Sequence, residues 1–144
     1  MRVCIDIEAN ALHNPTQIWV VVCKDIDTGQ RYIFRHLTDE KGQREEFLEF
    51  TEGVRRWIGH NILEYDFPVL VKLGILKSIP LERCIDTCIL SKLVNYERPG
   101  GHSVEQYGIE FGLPKGKFTD FSKYTEEMED YCVRDVEITH SIYL

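Results

Sequence analysis

No stretch of this chain is apolar for long enough to cross a bilayer: the longest uninterrupted run is residues 18–23, against the roughly 20 residues that a spanning helix needs. Acids at Asp6 and Glu8 interrupt the N-terminus, so it does not read as a signal peptide, and the expectation is a soluble chain with no visible export signal. A disulfide scaffold is excluded too. The five cysteines (Cys4, Cys23, Cys84, Cys88, Cys132) are odd in number, sit mostly in apolar stretches and contain no C-x-x-C pair. They read as buried free thiols of a reducing compartment, with a zinc site through Cys84 and Cys88 as the alternative. Positive charge is in short supply: the net charge of −7 argues against a protein that coats a nucleic-acid backbone by electrostatics alone. Repeats and low-complexity tracts are missing as well. What remains is 144 residues with 43% hydrophobic content, enough for one core and strained for two, so residues 1–144 read as a single domain.

Strands come first and helices later. Residues 3–8 alternate as a strand, 10–15 form a polar turn, and 17–24 are a β-branched and aromatic run suited to a central strand. Asp27-Thr28-Gly29 supplies turn chemistry before a returning strand at 31–35. Apolar residues at Phe47, Leu48, Phe50, Val54 and Trp57 predict a helix over 45–57, acidic early and basic late. A short strand or loop follows at 58–62. Residues 66–73 have helical spacing, with Pro68 tolerated in the first turn and Gly74 as the stop. Residues 83–86 read as a short strand and 87–94 as a helix. Pro99-Gly100-Gly101 breaks the chain before a helix at 103–111, and 115–124 is a polar, basic connection. The last helix, 125–144, opens on Thr125, with Met128 where a capping box would place Glu. The pattern is mixed α/β with an antiparallel start and later crossovers.

The chemistry is carried by acids in apolar surroundings. Alternation puts Asp6 and Glu8 on one face of the first strand, with Val3, Ile5 and Ile7 on the other. Two like charges side by side on a buried strand need a compensating cation, and a hard divalent metal with oxygen ligands is the economical one; an exposed edge is the alternative. Asp66 stands at a loop-to-helix junction, where it suits either an N-cap or a metal ligand. Tyr131 and Asp135, four apart, share a helix face with Cys132, Ile138 and Thr139, a face too apolar for solvent. Asp135 on that face needs a partner, either the metal of Asp6 and Glu8 or, at the surface, Arg134.

Together, Asp6-Ile7-Glu8, Asn61 with Tyr65-Asp66, and Tyr131 with Asp135 resemble the three exonuclease motifs of the DEDD superfamily in its tyrosine variety. The histidine variety would place histidine at 130, which is Asp130. More closely, the chain resembles the 3′→5′ proofreading domain of family A DNA polymerases from short-tailed phages. The likeness includes Asp6-Ile7-Glu8-Ala9-Asn10-Ala11-Leu12, His60-Asn61, Cys84-Ile85-Asp86-Thr87, Leu113-Pro114-Lys115-Gly116 and Glu126-Glu127-Met128-Glu129-Asp130-Tyr131.

That resemblance implies a ribonuclease H-like α/β fold, a mixed sheet of about five strands flanked by helices. It implies hydrolysis of single-stranded DNA from its 3′ end to 5′-mononucleotides, in proofreading, replication or repair, with two divalent ions, Mg²⁺ or Mn²⁺. Asp6, Glu8, Asp66 and Asp135 would hold the ions, and Tyr131 would orient the attacking water. Asn10, Leu12, Asn61 and Tyr65 would contact the substrate. Leu12 matches a residue that wedges between the last two bases, while core packing is its ordinary alternative. Acids gathered around metal are neutralised there, so the net charge does not oppose this reading. An RNA-processing exonuclease of the RNase D type and a catalytically dead nucleic-acid-binding domain are the alternatives, and the retained acids and tyrosine oppose the second. The implied partners are a DNA 3′ end and a polymerase, as a separate subunit or as the remainder of the chain; no polymerase motifs fit in 144 residues. No membrane is involved, and the location implied is the cytoplasm, of a bacterial host if the chain is phage-encoded. Two departures, a compact segment between the first helix and Asn61 and a short loop before the last helix, bear on how a strand would be covered. His13, His36, His60, His102 and His140 are scattered and are assigned no ligand role.

Overall fold

The computed structural model describes residues 1–113 and 118–144. Five strands, β1 (Arg2–Ala9), β2 (Ile18–Asp25), β3 (Arg31–Arg35), β4 (Arg56–Gly59) and β5 (Cys84–Asp86), form one sheet in the order β3-β2-β1-β4-β5. The first three are antiparallel, whereas β4 runs parallel to β1 and β5 parallel to β4. The helices are α1 (Lys41–Glu52), α2 (Phe67–Lys72), α3 (Thr87–Val94), α4 (Val104–Glu110) and α5 (Glu126–Tyr143). The mixed sheet and crossover helices are those the sequence predicts. Residues 114–116 of the quoted Leu113-Pro114-Lys115-Gly116 stretch and part of the 115–124 connection lie outside the described residues.

β1 is covered on both faces, and the alternation of its side chains explains how. Val3, Ile5 and Ile7 enter one core with Phe47, Phe67 and Trp57, while Cys4 enters a second with Val20, Ile58, Cys132 and Val136. The second core lies beneath α5, so the face that carries Asp6 and Glu8 is the face that α5 packs on. Phe47 and Phe67 are fully buried, and truncating either to Ala should cost about 3–5 kcal/mol. Along the sheet edge α5 is pinned by charge: Glu137 accepts from Lys24 at 2.8 Å and Arg31 at 3.0 Å, and Glu129 pairs with Arg35.

Two helix boundaries differ from the expected ones. α1 starts at Lys41 and ends at Glu52, not over 45–57. Val54 and Trp57 keep helical spacing by coincidence. The N-terminal ammonium donates to the Gly53 carbonyl at 2.9 Å, and Trp57, 2% exposed, sits in β4 opposite Val3. The helix expected over 66–73 is preceded by a π-helical turn, Ile62–Asp66, which starts from Asn61 in the left-handed region at φ 62°. Asn tolerates that conformation. Pro68 then occupies the first turn of α2, and Gly74 at φ 77° follows its end, both as expected. Thr125 caps α5, its hydroxyl accepting from the Met128 amide at 3.1 Å.

Candidate active site

Asp6 and Glu8 stand on β1 next to an irregularity in its pairing with β2, between Glu8 and Ala9. Such bulges re-aim side chains and occur beside active sites. α5 places Cys132 directly over the pair. Its thiol donates to Asp6 Oδ2 at 3.3 Å, and a ligand atom from each of Asp6, Glu8 and Cys132 lies within 4.8 Å of the others. Oxygen ligands of one Mg²⁺ or Ca²⁺ sit about 2.0–2.6 Å from the ion and hence at most about 4–5 Å apart. The two carboxylates therefore fit a single ion without rearrangement of the strand.

Asp135, one turn beyond Tyr131 on α5, is 6% exposed, whereas Arg134 faces solvent, so Asp135 does not sit at the surface. Asp66, 3% exposed, makes no cap to α2. Instead its Oδ2 accepts from the Ile7 amide, between Asp6 and Glu8 on β1, at 3.1 Å. This contact spans 59 residues and fastens the π-turn to the acidic strand. Burial pushes the Asp66 carboxyl well above its ordinary range, Asp135 adds to the rise, and the Ile7 amide opposes it. Burial also raises the Tyr65 phenol to about 12, with Asp66, Glu8 and Asp6 contributing, and raises the Cys132 thiol, with Asp6, Glu8 and Asp135 contributing. Three groups on two elements, the π-turn and α5, thus register the same cluster of carboxylates.

The cluster opens into a cleft of about 680 Å³, lined by every residue expected at the site except Asn10. Asn10 borders an adjoining recess of about 300 Å³, which shares Glu8, Leu12, Tyr65 and Phe121 with the cleft. The Asn10 amide is taken up by its own loop: Oδ1 accepts from the Thr16 and Gln17 amides at 3.0 and 3.1 Å, and Nδ2 donates to Thr16 Oγ1 at 2.8 Å. Leu12 on that loop is 72% exposed, so core packing does not account for it. Tyr65 steadies the loop by donating to the Ala11 carbonyl at 2.9 Å. Asn61 is exposed on the cleft wall while its amide donates to Asp86 Oδ1 at 2.9 Å. The same Asp86 carboxylate caps α3 at Cys88 and accepts from Leu63, joining the wall to the sheet.

Several lining residues escaped sequence reasoning. His60, its Nδ1 held 2.8 Å from Thr87 Oγ1, and Lys92 on α3 carry no periodic signal. Phe121 packs edge-on against the Tyr131 ring at 6.5 Å, and Phe118 lies 6.0 Å from it. Two phenylalanines in an otherwise polar connection were the available clue. The alternative zinc site finds no support: among the described residues no ligand cluster includes Cys84 or Cys88, and the Cys84 thiol donates to the Pro80 carbonyl at 3.2 Å. No helix among the described residues is long and apolar enough to cross a membrane.

A five-stranded mixed sheet with flanking helices and an acidic cleft across β1 and α5 defines an α/β, ribonuclease H-like protein. Its kinship is more particular. The chain is 30% identical over 180 residues to the DNA-directed DNA polymerase of Escherichia phage T7 and 29% identical over 182 residues to that of Enterobacteria phage T3, in each case across 95% of this chain and 25% of the relative. It is a homologue of these phage polymerases, in accord with its resemblance to a polymerase-associated exonuclease domain, and it spans about a quarter of their length. The matched 180 residues exceed the 144 of this chain, so the relative carries segments that are shorter or missing here. The family B DNA polymerase from the archaeon Pyrobaculum calidifontis has the same fold, with a TM-score of 0.69 at 14% identity, covering 95% of this chain and 23% of that one. No family model matches.

Proposed function

We propose that this chain is a 3′→5′ exonuclease, a single catalytic unit over residues 1–144 that hydrolyses single-stranded DNA to 5′-mononucleotides with two divalent ions, Mg²⁺ or Mn²⁺. The observation that carries the reading is the convergence of Asp6, Glu8, Asp66, Asp135 and Tyr131, from three separate elements, on one cleft. Asp6, Glu8 and Asp135 would hold one ion, and Asp6 with Asp66 would serve the second. The donor chemistry fits: these are hard carboxylate oxygens, the ligand type that a hard divalent cation takes. When bound, such ions supply an activated water and stabilise charge on the scissile phosphate and the departing 3′ oxygen.

The chain's own residues do the positioning. The Ile7 amide fixes Asp66, and the Cys132 thiol fixes Asp6. Tyr131, held among Phe118 and Phe121, directs its hydroxyl at the attacking water; a phenol is too weak an acid to serve as a strong base near neutral pH. Leu12, exposed at the cleft mouth on a loop tied down by Tyr65 and Asn10, wedges against the terminal bases, and Asn61 contacts the last nucleotide. The phage kinship supports a replication or proofreading role in the cytoplasm of a bacterial host, with a DNA polymerase as partner.

A 5′-labelled single-stranded DNA should shorten stepwise in Mg²⁺ and stay intact in chelator. Cleavage in chelator would refute the proposal. Equal cleavage of RNA of the same sequence would transfer it to the RNA-processing reading, because the carboxylate site itself does not select the sugar.

A further inference from the structure

The cleft is more acidic than a polyanionic strand would tolerate unaided. Among the described residues six carboxylates line it, those of Asp6, Glu8, Glu64, Asp66, Glu105 and Asp135, against the single ammonium of Lys92. Two divalent ions would offset four of those charges at the chemical centre. They would do nothing for phosphates further along the strand, beyond the reach of charge screening at about 10 Å.

Lys92 is built to fill that gap. It is exposed, and none of the ion pairs among the described residues engages it. Cys88, one turn earlier on the same helix, also lines the cleft. The helix beneath it is fixed at both ends. Asp86 caps the start of α3, and near its end the buried Ser91 hydroxyl lies 2.6 Å from His102 Nδ1 and 2.5 Å from the Tyr107 hydroxyl. A flexible ammonium on an anchored helix at a cleft rim suits a point contact to phosphate.

We infer that Lys92 contacts a backbone phosphate of the bound strand, upstream of the bond that is cut, and guides the strand along the α3 wall. The inference rests on the reading of the cleft as a single-strand exonuclease site, and it makes Lys92 a substrate-binding residue without a part in the chemical step.

The test is single-turnover cleavage of a 5′-labelled oligothymidylate over a range of enzyme and salt concentrations, with wild type, Lys92→Gln, Lys92→Arg and, as a charge control away from the cleft, Lys41→Gln. Lys92→Gln should raise the half-saturating enzyme concentration about 3- to 10-fold at low salt and flatten its logarithmic salt dependence by about 0.7, the share of one single-strand phosphate contact. Its maximal rate and its Mg²⁺-induced rise in Tm should stay those of wild type. Lys92→Arg should restore both half-saturation and slope, and Lys41→Gln should leave both unchanged. A Lys92→Gln variant with wild-type half-saturation and slope overturns the inference while the exonuclease reading stands, as does a loss confined to maximal rate. A Lys41→Gln variant that matches Lys92→Gln also overturns it, because bulk charge would then explain the effect. A wild type that cuts no single-stranded DNA overturns both the reading and the inference.

Discussion

Removing the charge of Asp66 should stabilise the metal-free protein while it disables the site. The carboxylate is buried and lies near Asp135, and the Ile7 amide is the larger of the two backbone contacts that oppose its raised titration, its own amide being the other. The folded chain therefore binds this proton over a pH range in which the unfolded chain has released it, so stability falls as pH rises from the ordinary value of 3.8 through the raised one. Asp66→Asn keeps an oxygen for the Ile7 amide and deletes the charge. Asp66→Ala deletes both, stranding a buried N–H at about 1–3 kcal/mol. At about 2–4 °C per kcal/mol for a domain of this size, the Ala variant should melt roughly 2–12 °C below the Asn variant. In chelator at pH 7.5 the Asn variant should melt above wild type, and the gap should close as pH is lowered and wild-type Asp66 takes up its proton. Thermal unfolding followed by circular dichroism reads all three. The reasoning fails if Asn melts with Ala below wild type, or if the gap between Asn and wild type is indifferent to pH.

The other side chains separate by role. Tyr131→Phe keeps the ring that packs on Phe118 and Phe121, so fold and metal response should persist while the single-turnover rate drops about 10- to 10³-fold, the scale of one positioned catalytic group; a wild-type rate would make the tyrosine a packing residue. Cys132→Ser preserves a donor for Asp6 and should keep near-normal Mn²⁺ affinity, whereas Cys132→Ala should weaken it. If Cys132→Ala lowers only the metal-free Tm and leaves Mn²⁺ affinity intact, the thiol fills space and positions nothing.

How far the site was legible depended on whether its signal was local. The β1 pair follows from a period of two, and Asp135 on a buried stripe follows from a period of 3.6, so both were readable. Asp66 was readable as an acid at a helix junction, but its bond to Ile7 was not: a contact across 59 residues leaves no trace in local spacing. Trp57 matches the helical spacing of α1 although the helix ends at Glu52, and only the pairing of Trp57 with Val3 reveals the strand. Leu12 resembled a core residue in composition, and the loop held by Asn10 and Tyr65 exposes it. Lys92 was one exposed lysine among many until α3 brought it to the cleft.

The proposal of a shared metal site is tested most directly by the effect of millimolar Mg²⁺ on thermal unfolding of wild type and Asp6→Asn. An ion that binds only the folded chain stabilises it by mass action, and Asp6 is the ligand common to both proposed ion positions. Wild type should gain in Tm with rising Mg²⁺, and Asp6→Asn should gain little. Identical responses from the two proteins would mean that the gathered acids do not hold an ion together.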